Sequence, residues 1–485
     1  MKRLIACLLA LLMLLSLTAC GETPESSPTT DTTAAPTDGE SAPDTEPFPD
    51  VAKQDYDGET FRMVGTFEAG TWVFGDEESY NNKGNKQVLN DVLYEMNTMV
   101  EEHLGITIEY EYVEHVPGSS VIVNKVHPTI LSGDDAYQLC VLDSYRNVSP
   151  FVIQDCAMDL YELEGLDFDR AYWNREVIES LEIEDHAYIA LGDLCNYTVY
   201  PFYVNKDLLA TVGRQMPYDK VRNGTWTFDE LFTITADLYA DNGDGKINNQ
   251  DTFGFAATWN VGANCFLQAS DIYVVTRHDD GSYDMTLYND RFVDLFNKLL
   301  NWTKEDSVYI WEWGKREDTG VITNFLDGHI YFTQEALGTT YLEAEFAVGI
   351  LPLPKFNTAQ KEYAHCSWGN NLGVPRTVKN TTMVAQAMEL MSYYSMTMVR
   401  TKYYDEVLQL RVSDAPDDRE MVELICDTVV FDPGIAYSQN SSELFNLCYI
   451  LESNILSGNT NISSYYTRNE RAAERYLSKK VYKLE

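Results

Sequence analysis

Val88, Leu89, Val92, Leu93, Met96, Met99, Val100 and Leu104 recur at helical spacing and predict an amphipathic helix. Directly after them, Ile106, Ile108, Tyr110 and Tyr112 alternate with Thr107, Glu109 and Glu111, the period-two pattern of a half-buried strand. Leu139-Cys140-Val141-Leu142 is a continuous apolar run, as expected of a strand covered on both faces. Thr227-Phe228-Asp229-Glu230 predicts a helix start with a capping box: Thr227 caps, Glu230 reaches back, and Trp226 and Leu231 stand at staple positions. A helix is predicted from Asp290 to about Trp302, strands at Ile330–Phe332 and Val348–Leu351, and mostly helix over the C-terminal stretch. Alternation of this kind predicts α/β lobes.

The two ends of the hydropathy profile differ. Lys2 and Arg3 precede an apolar run from Leu4 to Leu17, too short to span a bilayer and patterned as an export signal. It closes in Leu17-Thr18-Ala19-Cys20, which resembles a bacterial lipobox. That resemblance implies a signal peptide over residues 1–19, cleavage before Cys20, and lipid on Cys20. Two or more acyl chains give a stable anchor without a transmembrane helix. Gly21 to Asp50 is rich in Pro, Ser, Thr, Asp and Glu, with no Lys or Arg before Lys53. Such a stretch cannot offset its ordering entropy, so residues 20–55 read as a disordered linker of roughly 30 Å root-mean-square span.

Composition narrows the partners. The chain has 485 residues, with 35 Lys and Arg against 76 Asp and Glu, a net charge of −41. That length calls for at least two packed lobes. The charge works against nucleic-acid binding and against docking on anionic lipid through a basic patch. With Cys7 in the signal and Cys20 lipidated, Cys140, Cys156, Cys195, Cys265, Cys366, Cys426 and Cys448 remain. The number is odd and there is no C-x-x-C pair, so neither a closed disulfide set nor a zinc site is indicated.

The catalytic search is negative. The sequence has no G-x-S-x-G, H-E-x-x-H, Walker loop or G-x-G-x-x-G, and its seven His are scattered. Among 76 acids, a glycosidase pair cannot be nominated. No catalytic residue is assigned, and an enzyme is not expected. One loop, Asn242 to Asp251, looks like a calcium loop of the EF-hand or dockerin type. Asn242 and Asp244 would supply side-chain oxygens, Lys246 its carbonyl and Asp251 the closing carboxylate. The first ligand position falls on Ala240, which has no oxygen to give unless Asp241 replaces it through a distorted loop. Calcium is therefore the one cofactor suggested, and none is required.

Six segments, in order, carry a family resemblance. Tyr203-Val204-Asn205-Lys206-Asp207-Leu208-Leu209 resembles the "YNKDLL" element of extracellular solute-binding proteins of the maltose-binding type. Thr225 to Leu231 is similar to the family's "TWDEL" helix start, Asn242 to Phe255 to its "NGDGK…D.YGF" segment, and Phe325 to Ile330 to its helix-to-strand turn. Gly349-Ile350-Leu351-Pro352-Leu353-Pro354 matches its "GILPLP" element, and Gly373-Val374-Pro375 its "GIP". The resemblance implies a two-lobed, periplasmic-binding-protein-like (type II) α/β fold with crossover hinge segments near Asn196–Tyr200 and Tyr341–Phe346. Lobe 1 would comprise 56–197 plus 345–400, and lobe 2 198–344 plus 401–485. It implies a monomer that closes on a carbohydrate and delivers it to ABC permease subunits.

Sugars are held by flat aromatic faces and by planar polar groups that fork to adjacent hydroxyls. Trp226 is explained by the staple and Trp302 by an apolar helix stripe. Trp368, followed by Asn370 and Asn371, lies just beyond the implied second crossing and is the leading ligand-binding candidate. Trp259 follows the "YGF" strand, Tyr197 and Tyr200 lie at the first crossing, Glu335 follows the Ile330–Phe332 strand, and Trp72 sits in an early loop. A peptide or other small polar solute in the same fold, and a surface-anchored carbohydrate-active enzyme, stay open as alternatives.

Overall fold

The computed structural model describes residues 46–70, 72–77, 88–195, 198–259, 262–278, 280–312, 320–337, 344–403 and 416–483. The chain divides between Pro47 and Phe48, and Phe48–Glu485, the second unit, is compact. The signal segment, Cys20 and the linker as far as residue 45 lie outside the described residues. Within the second unit the folded chain begins earlier than residue 56. Phe48 packs edge-on against Tyr393 at 5.2 Å, Val51 is buried, and its carbonyl lies 2.9 Å from His103 Nε2. These contacts bury Val51, an apolar side chain that a disordered linker would leave in water.

The first sheet is built on β1 (Glu59–Thr66), β2 (Ile106–Val113) and β3 (Leu139–Asp143), all parallel with β1 central. The alternation in β2 is realised as far as Tyr110: Ile106, Ile108 and Tyr110 are buried and Thr107 is exposed, while Tyr112, expected on the buried face, is exposed near the strand's end. The helix Val88–Leu104 lays Val92, Leu93, Met96, Val100 and Leu104 into the core, and the helix Thr381–Tyr394 packs beside it.

The second sheet contains β4 (Phe202–Asn205), β5 (Tyr239–Ala240) and β6 (Thr252–Trp259). A hairpin, β7 (Val275–Arg277) and β8 (Tyr283–Met285), stands apart from it. β9 (Val308–Glu312), β10 (Ile330–Gln334) and β11 (Val348–Leu351) complete the order β11-β4-β10-β6-β5, with β9 on β6. The short pair β12 (His365–Cys366) and β13 (Asn370–Gly373) then carries the chain back, since β13 joins β3 antiparallel. β14 (Val429–Val430) pairs with β12.

This topology moves one expected boundary. Val348–Leu351 pairs along β4 from Val348↔Asn205 to Leu351↔Phe202, so it belongs to the second sheet and not to lobe 1. The return crossing therefore lies between Leu351 and Asn370. The C-terminal helices do not belong to lobe 2 alone. Tyr437 Oη donates to Leu181 O at 2.8 Å on one side, and Gln268 Nε2 donates to Asp432 at 2.9 Å on the other. At the Thr227 cap the side chain accepts from Glu230 N at 3.4 Å, and Trp226 and Leu231 are fully buried. Glu230 instead pairs with Lys220, because an ammonium within reach outcompetes the backbone N–H.

Cys140, Cys156, Cys195, Cys366 and Cys448 are buried thiols that pack as small apolar groups. Asp432, also fully buried, accepts from Val274 N at 2.7 Å, Gly434 N at 2.8 Å, Gln268 Nε2 at 2.9 Å and Val275 N at 3.2 Å. Asp432→Ala strands these four donors, and a loss of about 3 kcal/mol or more is expected in urea unfolding. A midpoint unchanged from wild type would show that the junction does not depend on this carboxylate.

Candidate functional site

The strand ends of the first sheet and the C-terminal helices meet in a cluster of aromatic rings. Tyr145 follows β3 directly, and β13, running the opposite way, brings Trp368 to the same end. The Trp368 ring lies 6.1 Å from Tyr145 and 5.7 Å from Tyr449. Phe445 and Tyr449, one turn apart, stack at 4.6 Å, and Tyr145 packs on Phe445 at 5.6 Å. Tyr145, Phe445 and Tyr449 are half-buried, whereas Trp368 is only 8% exposed. Trp368 thus backs the cluster and the three other rings offer the open faces. Its backbone N–H donates to Thr198 O at 2.9 Å, which ties the cluster to the first crossing.

In the second sheet, the β10 and β6 ends line a pocket of ≈ 430 Å³ that includes Tyr200, Thr258, Thr323, Gln334 and Glu335. Gln334 is fixed by donating to Tyr200 O at 3.2 Å and Gly262 O at 3.0 Å. Glu335 is half-buried, and loss of water lifts its carboxyl to about 7. A carboxyl poised there can accept from or donate to a ligand hydroxyl.

The other expected residues fall out unevenly. Tyr200 and Glu335 come together as described. Asn370 is half-buried at the start of β13, opposite Asp143. Asn371 points the other way, as the strand period demands. It is fully buried and donates to Ser144 Oγ at 2.7 Å. Trp72 packs edge-on against Tyr403 at 4.9 Å. Tyr197 and the Trp259 side chain lie outside the described residues, although the Trp259 backbone ends β6. Sequence reasoning missed Tyr145, Phe445 and Tyr449. For Phe445 and Tyr449 the helical spacing was the available signal, and Tyr145 stands directly after an apolar strand.

In the Asn242–Asp251 loop the carboxylates of Asp241, Asp244 and Asp251 converge, with ligand atoms all within 4.8 Å of one another. Asp241 takes the place that Ala240 cannot fill, turned inward by the N–H groups of Gly243 and Gly245. Asp251 is buried and accepts from Asn242 N and Tyr239 Oη, each at 2.9 Å. Asn242 accepts from Asp244 N, and the Lys246 carbonyl accepts from Asn248 Nδ2. An all-oxygen donor set of three carboxylates fits calcium.

No protein-family model and no curated protein sequence matches the chain. Solved structures do. An ABC substrate-binding protein from Listeria monocytogenes, in complex with cycloalternan, aligns with TM-score 0.55 at 14% identity over 87% of this chain and 99% of that one. The galacto-N-biose/lacto-N-biose I-binding protein of the ABC transporter from Bifidobacterium longum, in complex with lacto-N-biose, gives 0.57 at 11% over 88% and 98%. UgpB from Mycobacterium tuberculosis, in complex with glycerophosphocholine, gives 0.55 at 14% over 87% and 100%. At these identities the likeness establishes the fold: a two-lobed, periplasmic-binding-protein-like α/β structure of the kind used by sugar-binding ABC substrate-binding proteins.

If the loop takes calcium, adding it after EDTA raises the melting midpoint by several degrees, through ligation of three otherwise repelling carboxylates. Identical melting curves with and without the ion would remove calcium from the account.

Proposed function

We propose that this protein is a lipid-anchored, extracytoplasmic solute-binding protein that captures a carbohydrate between its lobes for an ABC importer. The observation that carries the reading is the half-exposed ring cluster of Tyr145, Phe445 and Tyr449, beside the crossing segment of a two-lobed fold whose other sheet ends in a polar pocket. Flat rings match the C–H faces of sugars, and the Gln334, Glu335 and Tyr200 groups match hydroxyls. The cycloalternan and lacto-N-biose complexes of similar proteins support a saccharide. The glycerophosphocholine complex supports a second reading, another small polar solute in the same cleft. The negative motif search supports a binder over a carbohydrate-active enzyme.

Calorimetry against oligosaccharides, peptides and small polar solutes tests the ligand, with micromolar or tighter binding of at least one saccharide expected. Binding of peptides alone would overturn the carbohydrate reading, and turnover of a polysaccharide would overturn the binder. The anchor rests on the lipobox-like Leu17–Cys20 segment, with delivery to permease subunits as a monomer. A Cys20→Ser variant should move from the membrane to the soluble fraction, and its retention in the membrane would count against lipidation.

Glu335 adds a pH dependence. Closure over a ligand removes more water from a carboxyl that already titrates at about 7. Desolvation favours the protonated form, so binding takes up a proton. Affinity for a neutral saccharide is therefore expected to fall as pH rises from 6 to 8, and to stay level in Glu335→Gln. An affinity that rises over that range would assign Glu335 the opposite role, accepting from the ligand as a carboxylate.

A further inference from the structure

Arg146 follows Tyr145 at the end of β3, and its guanidinium carbon lies 5.0 Å from the centre of the Tyr145 ring. The side chain is half-buried, and Nη1 is buried with no hydrogen-bond partner. Every other partly buried arginine among the described residues has a carboxylate or carbonyl acceptor, whereas the Arg146 side chain hydrogen-bonds to the Tyr145 hydroxyl and leaves Nη1 without a partner. Arg62, Arg170, Arg277, Arg291 and Arg400 pair with carboxylates, and Arg214 donates to carbonyls. In a chain with 76 acidic residues, a guanidinium left without a carboxylate at the aromatic cluster is the exception to be explained.

Asp143, at the end of the same strand, lies close enough to feel this charge but does not pair with it. Its oxygens are taken by Asn147 Nδ2 and by the Arg146 backbone N–H, the latter at 2.8 Å. A partly desolvated cation with an unmet donor is costly. Sugar hydroxyls would satisfy the donors and leave the charge uncompensated. An oxyanion would satisfy both, and the planar guanidinium fork matches it in two-point contact.

We infer that the cleft selects an anionic saccharide, whose carboxylate or phosphate pairs with Arg146 while its ring packs on the Tyr145, Phe445 and Tyr449 cluster. The inference rests on the carbohydrate reading above and narrows it. Because the guanidinium borders the ring cluster, an exocyclic acid group on a packed sugar ring comes within its reach. Arg146 then acts as a specificity-determining residue for the charge of the ligand.

Calorimetry with oligouronates of several stereochemistries, their uncharged methyl esters, sugar phosphates and neutral oligosaccharides tests this. At least one anionic saccharide is expected to bind, and removal of its charge should weaken binding at least thirtyfold, about 2 kcal/mol. The esters and the phosphates separate a carboxylate ligand from a phosphate one. In the wild-type protein the affinity should fall as NaCl rises, a readout that needs no variant. Arg146→Gln should abolish the preference for the charged member of each pair, and Arg146→Lys should keep part of it. If a neutral oligosaccharide binds and no anionic one does, or if acid and ester bind alike, this inference fails and the carbohydrate reading stands. If no saccharide of either kind binds, both fail together.

Discussion

Asp432 is the carboxylate on which the seating of the C-terminal helical segment against the second lobe turns. It is fully buried and holds four N–H donors from Gln268, Val274, Val275 and Gly434. Those donors come from the second lobe's helix and hairpin and from the start of the C-terminal helical segment. Burial lifts its carboxyl to about 6 against the pull of the four donors, so desolvation is the larger effect. The charge is retained at neutral pH only because all its partners are in place. Loss of any one would leave a buried group unmet.

The consequence reaches the aromatic cluster. The segment that begins at Asp432 runs through short helices to Ser442–Cys448 and Ile450–Leu456, which set Phe445 and Tyr449 over Tyr145. The same segment touches the first lobe, where Ser149 Oγ donates to Asn440 Oδ1 at 3.0 Å and Tyr437 Oη donates to Leu181 O. The aromatic face therefore belongs to neither sheet alone. It is assembled from one strand end, one crossing segment and a helical bridge, each anchored separately.

Charge divides the site in the same way. Arg146, its Nη1 without a partner, stands at the aromatic end, and Glu335, a carboxyl lifted to about 7, at the polar pocket. A fixed cation and a titratable carboxyl thus stand at the ends of different sheets. The net charge of −41 says nothing about this, since it coats the surface, while the site's polarity is set by single residues.

Periodicity alone determined the elements: the 88–104 helix, the alternating strand at 106–112, the covered strand at 139–142 and the Thr227 cap all follow from local spacing. The order of short motifs pointed to the two-lobed fold, because each motif marks an element the fold repeats in that order. Tertiary structure decided what local spacing cannot reach. Val348–Leu351 is apolar enough for either sheet, and only its register with β4 assigns it to the second. Asn370 and Asn371 look alike as sequence, yet the strand period sends one toward the rim and the other into the core. Trp368 is buried, because Tyr145 and Tyr449, distant along the chain, pack against it. Pairing partners far apart in sequence carry no local signal. The sequence therefore specified which elements form, and packing between remote segments decided which side chains are buried and which stay half-exposed.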